Sequence, residues 1–183
     1  MGESSTARET TERLHMSQVD WDRVYDEQTP RLYNFFRYRT GDTEVAKDLT
    51  ARTMMKAWRY RESYNSDLGA FSAWLFQIGR NLASDHLREQ MKAPLPLYDA
   101  NNLISDFSVE YEVQKNLDAK RLYCLLKTLP ARDQEIMALK YGADMTSREI
   151  ALVLDLTASN VSTIIHRTIQ ILRAKWEFDY VRE

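Results

Sequence analysis

Apolar side chains recur in the first half of the chain at the three- and four-residue spacing that places them on one face of an α-helix. The pattern predicts helices over about 21–40, 43–59 and 70–90, with Pro30 as a break or first-turn residue and Gly41 as a C-cap. Residues 64–69 interrupt the pattern and are predicted to form a loop. We therefore expect a three-helix module here.

The second half carries shorter helical patterns, over about 113–126, 132–141, 146–154 and 158–176. Leu129-Pro130 separates the first two, and Gly142 ends the next. No strand alternation is evident, so the predicted fold class is all-α, with two small helical domains joined by a flexible acidic linker.

Charge divides the chain at the same places. Residues 21–92 hold 12 basic and 10 acidic side chains, residues 93–114 hold 4 acidic and no basic ones, and residues 115–176 hold 10 basic and 6 acidic ones. Two basic blocks around an acidic segment are typical of two modules and a linker. The predicted boundaries are a disordered tail at 1–17, an N-terminal module at 18–92, a linker at 93–112, a C-terminal module at 113–177 and a tail at 178–183.

Composition narrows the class of protein. Only 5 Gly and 4 Pro occur in 183 residues, which favours long helices. A single cysteine, Cys124, cannot form an internal disulfide, and no apolar run approaches the roughly 20 residues that span a bilayer. We expect a cytoplasmic protein without a membrane partner. Three histidines and one cysteine form no nucleophile–base pair or metal cluster, so we expect no enzyme, cofactor or metal.

A helix-turn-helix pattern occupies residues 146–165. Thr146 and Glu149 have the spacing of a capping box, and Asp155-Leu156-Thr157 has the composition of the turn, with Thr157 as the next N-cap. Val161 and Ile165 are predicted to anchor the second helix. In such modules one helix braces the next against the major groove of DNA.

The surrounding motifs resemble those of extracytoplasmic-function (ECF) sigma factors. LPARDQE at 129–135, SREIALVLDL at 147–156 and His166-Arg167 are similar to region 4 of that family. TGD at 40–42, AKDLTARTMMKAW at 46–58 and FSAWLFQIGRNLASDHLR at 71–88 are similar to its region 2. The resemblance spans about residues 25–173 and implies a sigma factor that directs RNA polymerase to promoters.

The resemblance also implies where the partners bind. Region 2 would contact the β′ clamp helices of bacterial core RNA polymerase and the minus-10 element, and region 4 the β flap and the minus-35 element. The polymerase-binding candidates are Asp48, Leu49, Arg52, Met55 and Lys56. The minus-10 candidates are Tyr64, Asn65, Gln77, Arg80, Asn81, Ser84 and Arg88. The minus-35 candidates are Ser159, Asn160, Ser162, Thr163, His166 and Arg167. Trp58 and Trp74 are expected in the core rather than on DNA.

The polymerase-binding segment departs from the family pattern. Lys47 and Arg52 stand where the family usually carries acidic side chains, and Asp48 alone retains that charge. Reversed charges at a partly desolvated contact oppose binding. One hypothesis is that a Ser/Thr kinase restores the acidity at Thr50 or Thr53, since a phosphate adds about −1.5 to −2 charges.

The sequence leaves open one further departure from the family pattern and two alternative functions. The recognition helix has Ser162 and Ile164 where the family commonly has Lys and Arg, which predicts weaker and less salt-dependent minus-35 binding. A stand-alone helix-turn-helix regulator is the alternative function, and it predicts a dimer that binds duplex DNA without polymerase. A third alternative is a pure interaction protein that is held inactive by an anti-sigma factor.

Overall fold

A computed structural model describes residues 19–66, 70–92, 118 and 120–180, and the regular structure of these residues is helical. The predicted N-terminal tail and the acidic linker lie outside the described residues. The helices are α1 (Trp21–Thr40), α2 (Thr43–Arg59), α3 (Phe71–Lys92), α4 (120–127), α5 (Ala131–Met137), α6 (Ser147–Leu154) and α7 (Ala158–Tyr180). We call residues 19–92 the N-terminal module and 118–180 the C-terminal module.

Helix α1 continues through Pro30, so the predicted break there is wrong. Asp20 caps its first turn by accepting from the Arg23 N–H, and Gly41 ends it with a left-handed φ of 74°. A proline inside a helix costs about 3 kcal/mol. Leu32, Phe35 and Phe36 follow it and are fully buried. Each contributes about 1.5–3 kcal/mol by leaving water, which outweighs the lost hydrogen bond.

Helix α2 begins where the sequence predicted. The Asp42 carboxylate accepts from the backbone N–H groups of Glu44 at 2.8 Å and Val45 at 2.9 Å. Two N–H groups that lack a partner within the helix are thereby satisfied. Ala46, Leu49 and Ala57 then face the core, and this face fixes which residues of α2 remain available to a partner.

The helix-turn-helix has the predicted form. Thr146 and Glu149 make both hydrogen bonds of a capping box at the start of α6. Asp155 closes the turn in the left-handed region, with φ 54°. Thr157 then accepts from the backbone N–H of Asn160 at 3.2 Å and caps α7. These local bonds fix the angle at which α7 leaves α6.

Helix α5 passes into a short π-helical segment, Ala138–Gly142, that lies against α1. A Cβ atom at Gly142 would stand 2.9 Å from the carbonyl oxygen of Asn34 and 3.1 Å from the Cα of Phe35. Glycine is therefore required for the two backbones to approach this closely. The predicted stop at Gly142 is confirmed, with a further role in packing.

The two modules that the sequence predicted pack against each other and share one core. Phe35 and Phe76 of the N-terminal module lie in the same buried cluster as Leu139, Met145 and Ile150 of the C-terminal module. Polar contacts also cross between them. Arg31 Nε donates to the Ala143 carbonyl at 2.8 Å, and Lys127 Nζ donates to the Arg39 carbonyl at 3.0 Å.

Candidate nucleic-acid and polymerase interfaces

The predicted minus-35 contacts lie together on the solvent side of α7. Val161 and Ile165 are buried and anchor the helix as predicted, and Ile164 is buried beside them. Six exposed side chains in the first half of α7 define the minus-35 face: Ser159, Asn160, Ser162, Thr163, His166 and Arg167. This face meets the requirement that base-reading side chains reach out from a braced helix.

Arg167 on the minus-35 face is already engaged. Its Nη2 lies 3.0 Å from Oδ2 of Asp133, whose side chain is almost completely buried. The guanidinium itself is more than half exposed, so it can turn one edge to a phosphate while the other holds Asp133. The cation therefore links α7 to α5.

The minus-10 face, defined by Gln77, Arg80, Asn81, Ser84 and Arg88, lies on one side of α3 but is not fully open. Arg80 Nε is 3.0 Å from Oε1 of Glu135 in the C-terminal module. Gln77 Nε2 lies 3.5 Å from the Leu152 carbonyl of α6. The C-terminal module thus covers part of the face. Arg88 instead pairs with Asp85 on its own helix at 2.9 Å.

The loop before α3 places one predicted base contact against other rings. Tyr64 meets Phe71 edge-on with centroids 5.2 Å apart and tilts against Trp74 at 5.5 Å. Partial burial raises the pKa of the Tyr64 hydroxyl. Asn65 is exposed, while residues 67–69 lie outside the described part of the loop. Trp74 is half-buried and packs on the core, as predicted.

The polymerase-binding candidates on α2 divide into two groups. Leu49 is 0% exposed and packs in the core, so its predicted direct contact is not available in this structure. Met55 and Lys56 are exposed, and Asp48 pairs with Arg52 at 3.3 Å. The one retained acidic side chain is therefore partly neutralised by the arginine that replaces a family carboxylate.

Both predicted phosphorylation sites are buried. The hydroxyls of Thr50 and Thr53 donate to the carbonyls of Ala46 and Leu49, each at 2.7 Å. Thr53 is 0% exposed and Thr50 is 5% exposed. A kinase cannot reach either hydroxyl while α2 is packed in this way, and a phosphate dianion there would be buried without a described cationic partner. This packing argues against phosphorylation of either threonine in the folded conformation.

An exposed aromatic groove between α1 and α2 was not predicted from the sequence. Trp58 was predicted to lie in the core, but it is 53% exposed. It meets Trp21 edge-on at 5.1 Å, and Arg61 lies 4.5 Å from its ring. Tyr25 and Met55 line the same groove of about 590 Å³. Because Met55 and Trp58 are three residues apart on α2, their spacing was a signal that they share a face.

The described residues form neither of two other kinds of site, a metal centre or a membrane span. No group of three or more His, Cys, Asp or Glu side chains there is placed to hold a metal ion. None of the described helices is both long enough and apolar enough to span a bilayer.

Two family comparisons match the two modules. A sigma-70 region 2 model matches residues 24–93, and a sigma-70 region 4 model matches residues 125–174. Together with the braced recognition helix, these matches define a protein of the sigma-70 class.

The chain belongs to the ECF RNA polymerase sigma factors. It is 27% identical over 175 residues to the ECF sigma factor BldN of Streptomyces coelicolor, covering 93% of this chain and 66% of that one. It is 25% identical over 153 residues to the ECF sigma factor SigM of Bacillus subtilis, covering 84% and 93%.

Solved structures share the fold. CnrH in complex with the cytosolic domain of CnrY gives a TM-score of 0.68 at 22% identity, covering 92% of this chain and 96% of that one. The sigma factor RpoE of Bartonella quintana, in complex with the anti-sigma factor NepR, gives 0.67 at 21% identity, covering 87% and 98%.

Proposed function

We propose that this ECF sigma factor binds bacterial core RNA polymerase in the cytoplasm and directs it to promoters to initiate transcription. The observation that carries the proposal is the minus-35 face. Six polar side chains project into solvent from a helix whose other side is anchored by Val161 and Ile165. The minus-10 face on α3 and the exposed part of α2 supply the second DNA contact and the polymerase contact.

Transcription from defined promoters tests this function directly. The full chain is mixed with core polymerase and a library of promoter fragments, and run-off transcripts are sequenced. We expect transcripts that depend on the chain and share minus-35 and minus-10 elements. Transcripts identical with and without the chain would contradict the proposal.

The same samples distinguish a sigma factor from the alternative function. A stand-alone helix-turn-helix regulator predicts a dimer that binds duplex DNA without polymerase. A sigma factor predicts a monomer that binds promoter fragments tightly only with core polymerase. Sizing by light scattering and DNA binding by anisotropy distinguish the two.

We propose that the cations on α2 limit polymerase affinity. Lys47 and Arg52 are exposed, and each is paired within the helix, with Glu44 at 2.8 Å and Asp48 at 3.3 Å. Replacing Lys47 and Arg52 by Glu frees those carboxylates and adds two more. We expect affinity for core polymerase to rise about tenfold or more, because like-charge contacts cost several kcal/mol at interfaces.

Fluorescence titration of labelled protein with core polymerase measures this effect. Arg23→Glu is the control, because Arg23 is also an exposed cation in an ion pair within one helix, but on α1 rather than α2. Unchanged or weaker binding of the α2 double variant would show that the partner surface tolerates the basic residues.

Activation by a Ser/Thr kinase at Thr50 or Thr53 remains a separate hypothesis, and the burial of both hydroxyls argues against it. Modification there requires α2 to leave its packing in the core first. Thr50→Glu and Thr53→Glu variants test it by polymerase affinity, with circular dichroism to check that α2 still folds. A folded acidic variant that binds polymerase more tightly would restore the hypothesis.

An anti-sigma factor is the regulator we propose instead. Among solved structures that share this fold, the Bartonella RpoE was solved with the anti-sigma factor NepR bound, and CnrH with the cytosolic domain of CnrY. Capture of a bound protein from the native host, followed by loss of transcription when that protein is added back, would support this. A partner that leaves transcription unchanged would contradict it.

A further inference from the structure

A cavity of about 340 Å³ lies where the two modules meet. Arg39 of α1 and Arg80 and Ser84 of α3 line one side, and Arg132 and Glu135 of α5 line the other. Three guanidinium groups face a single carboxylate. The lining therefore carries an excess of two positive charges, contributed by both modules.

Arg39 is the unusual member of this set. It is only 5% exposed, and among the described residues its Nε has no hydrogen-bond partner. Its Nη1 makes one long contact, 3.5 Å to the Ala131 carbonyl. A buried donor without a partner costs about 1–3 kcal/mol, and buried charges in proteins are ordinarily paired. The guanidinium is thus held at the cavity without its own counter-charge.

The surrounding charges reinforce this imbalance. Burial lowers the pKa of Arg39, Glu135 partly offsets that effect, and Arg80 lowers the pKa further. Partial burial and then Arg39 lower the pKa of Lys127, whose ammonium bonds the Arg39 carbonyl. Glu135 is already committed to Arg80 at 3.0 Å, so it cannot neutralise all the cations around it.

We propose that this cavity binds a small phosphate-bearing anion held by Arg39, Arg80 and Arg132, with Ser84 as an additional donor. Guanidinium groups present paired N–H donors that match the oxygens of a phosphate. The anion takes up the excess positive charge and bridges α1 and α3 to α5. Because its ligands come from both modules, it stabilises the arrangement in which they are packed together.

Thermal unfolding of the full chain tests the site, with inorganic phosphate and pyrophosphate as probes at constant ionic strength maintained with chloride. At about five times the dissociation constant, mass action raises Tm by about 2–4 °C for a chain of this size. Phosphate also stabilises proteins generally, by exclusion from their surfaces. The variants must therefore separate binding from this general effect.

Arg132→Gln is the principal variant, because Arg132 is exposed and its replacement leaves the core intact. We expect it to raise the apparent dissociation constant for phosphate about tenfold, while Tm without phosphate is unchanged. Arg39→Gln should abolish the response, with circular dichroism to check the fold. Arg23→Gln, which removes an exposed arginine of α1 that lies outside the cavity lining, should respond like the natural chain.

Equal responses in all variants, or no response in the natural chain, would overturn the proposal. A short DNA duplex serves as a second probe. If it produces an Arg132-dependent shift and the free anions do not, the site belongs to the DNA backbone and the small-anion proposal fails. Failure of this test leaves the proposed sigma activity untouched, because transcription is measured separately.

Discussion

The two faces predicted to meet promoter DNA differ in what covers them. The minus-35 face on α7 is exposed along its length. The minus-10 face on α3 is partly covered by the C-terminal module, through Arg80 with Glu135 and Gln77 with Leu152. One module can therefore offer its DNA surface while it restricts that of the other. Opening the contacts of Arg80 and Gln77 with the C-terminal module would free the covered part of the minus-10 face.

The largest expected effect comes from forcing the modules apart at Gly142. Gly142→Val places a branched side chain where even a single Cβ atom would lie 2.9 Å from the Asn34 carbonyl oxygen. We expect the free energy of unfolding to fall by about 2–3 kcal/mol, as for other overpacked sites. Urea denaturation measures this loss, and X-ray scattering measures the radius of gyration, which should increase. Tyr141→Ala, at an exposed neighbour, is the control; identical stability and size for Gly142→Val would contradict the close contact.

The next largest effect is expected for the ion pair between Arg80 and Glu135. The Arg80 side chain is 38% exposed, and that of Glu135 is 12% exposed. A double-mutant cycle with Arg80→Ala and Glu135→Ala should give a coupling energy of about 1 kcal/mol, since the pair is only partly screened by water. The pair of Arg88 with Asp85, at 69% and 60% exposure on the same helix, should couple by no more than about 0.5 kcal/mol. Equal coupling energies would mean that the packing of the two modules does not shield the Arg80–Glu135 pair from water.

Loss of the N-cap at Thr146 in the helix-turn-helix should reduce stability by a similar amount, within one module. Thr146→Ala removes the hydroxyl that accepts from the Glu149 N–H at 3.2 Å. We expect a loss of about 1 kcal/mol in the free energy of unfolding. Thr43→Ala, at the first residue of α2 rather than its cap, is the matched control for loss of a threonine. A loss no larger than in that control would show that the cap is dispensable.

The pH dependence of the same cap is a further prediction. Burial raises the pKa of Glu149, but hydrogen bonds from the backbone and side chain of Thr146, together with the charges of Arg31 and Lys140, outweigh it and hold that pKa below its usual value. A depressed pKa in the folded state stabilises the protein above the unfolded carboxyl pKa of about 4.3, and this stability is lost as the pH falls through the folded pKa. The natural chain should therefore exceed Glu149→Gln in stability at pH 6 and lose that advantage on acidification. A constant difference between pH 6 and pH 3 would contradict this.

The smallest effect on stability is expected on the open face. Asn160→Ala removes an exposed amide from α7 and should change the free energy of unfolding by less than about 0.5 kcal/mol. The same change should weaken promoter binding by about 1–3 kcal/mol if the amide reads a base. Anisotropy of polymerase complexes on a minus-35 fragment measures the second quantity. Gln90→Ala, which removes an exposed amide near the end of α3, is the control for a polar side chain outside the minus-35 face.

Local chemistry accounts for what the sequence could predict. The capping box at Thr146, the N-cap at Asp42 and the anchoring of Val161 depend on neighbours within a few residues. The burial of Thr50 and Thr53 depends on which side of α2 meets the core, and the motif alone did not assign that side. The continuation of α1 through Pro30 and the exposure of Trp58 likewise depend on tertiary packing. Contacts between the modules join residues up to 112 positions apart, which no local pattern encodes.

The shared core described above also bears on cooperativity. Phe35 and Phe76 pack in the same cluster as Leu139 and Ile150, so loss of order in either module removes buried neighbours from the other. Heat should therefore melt both modules in a single calorimetric transition rather than in two. A fragment cut at the linker would expose the apolar surface that its partner had covered and would be prone to aggregate.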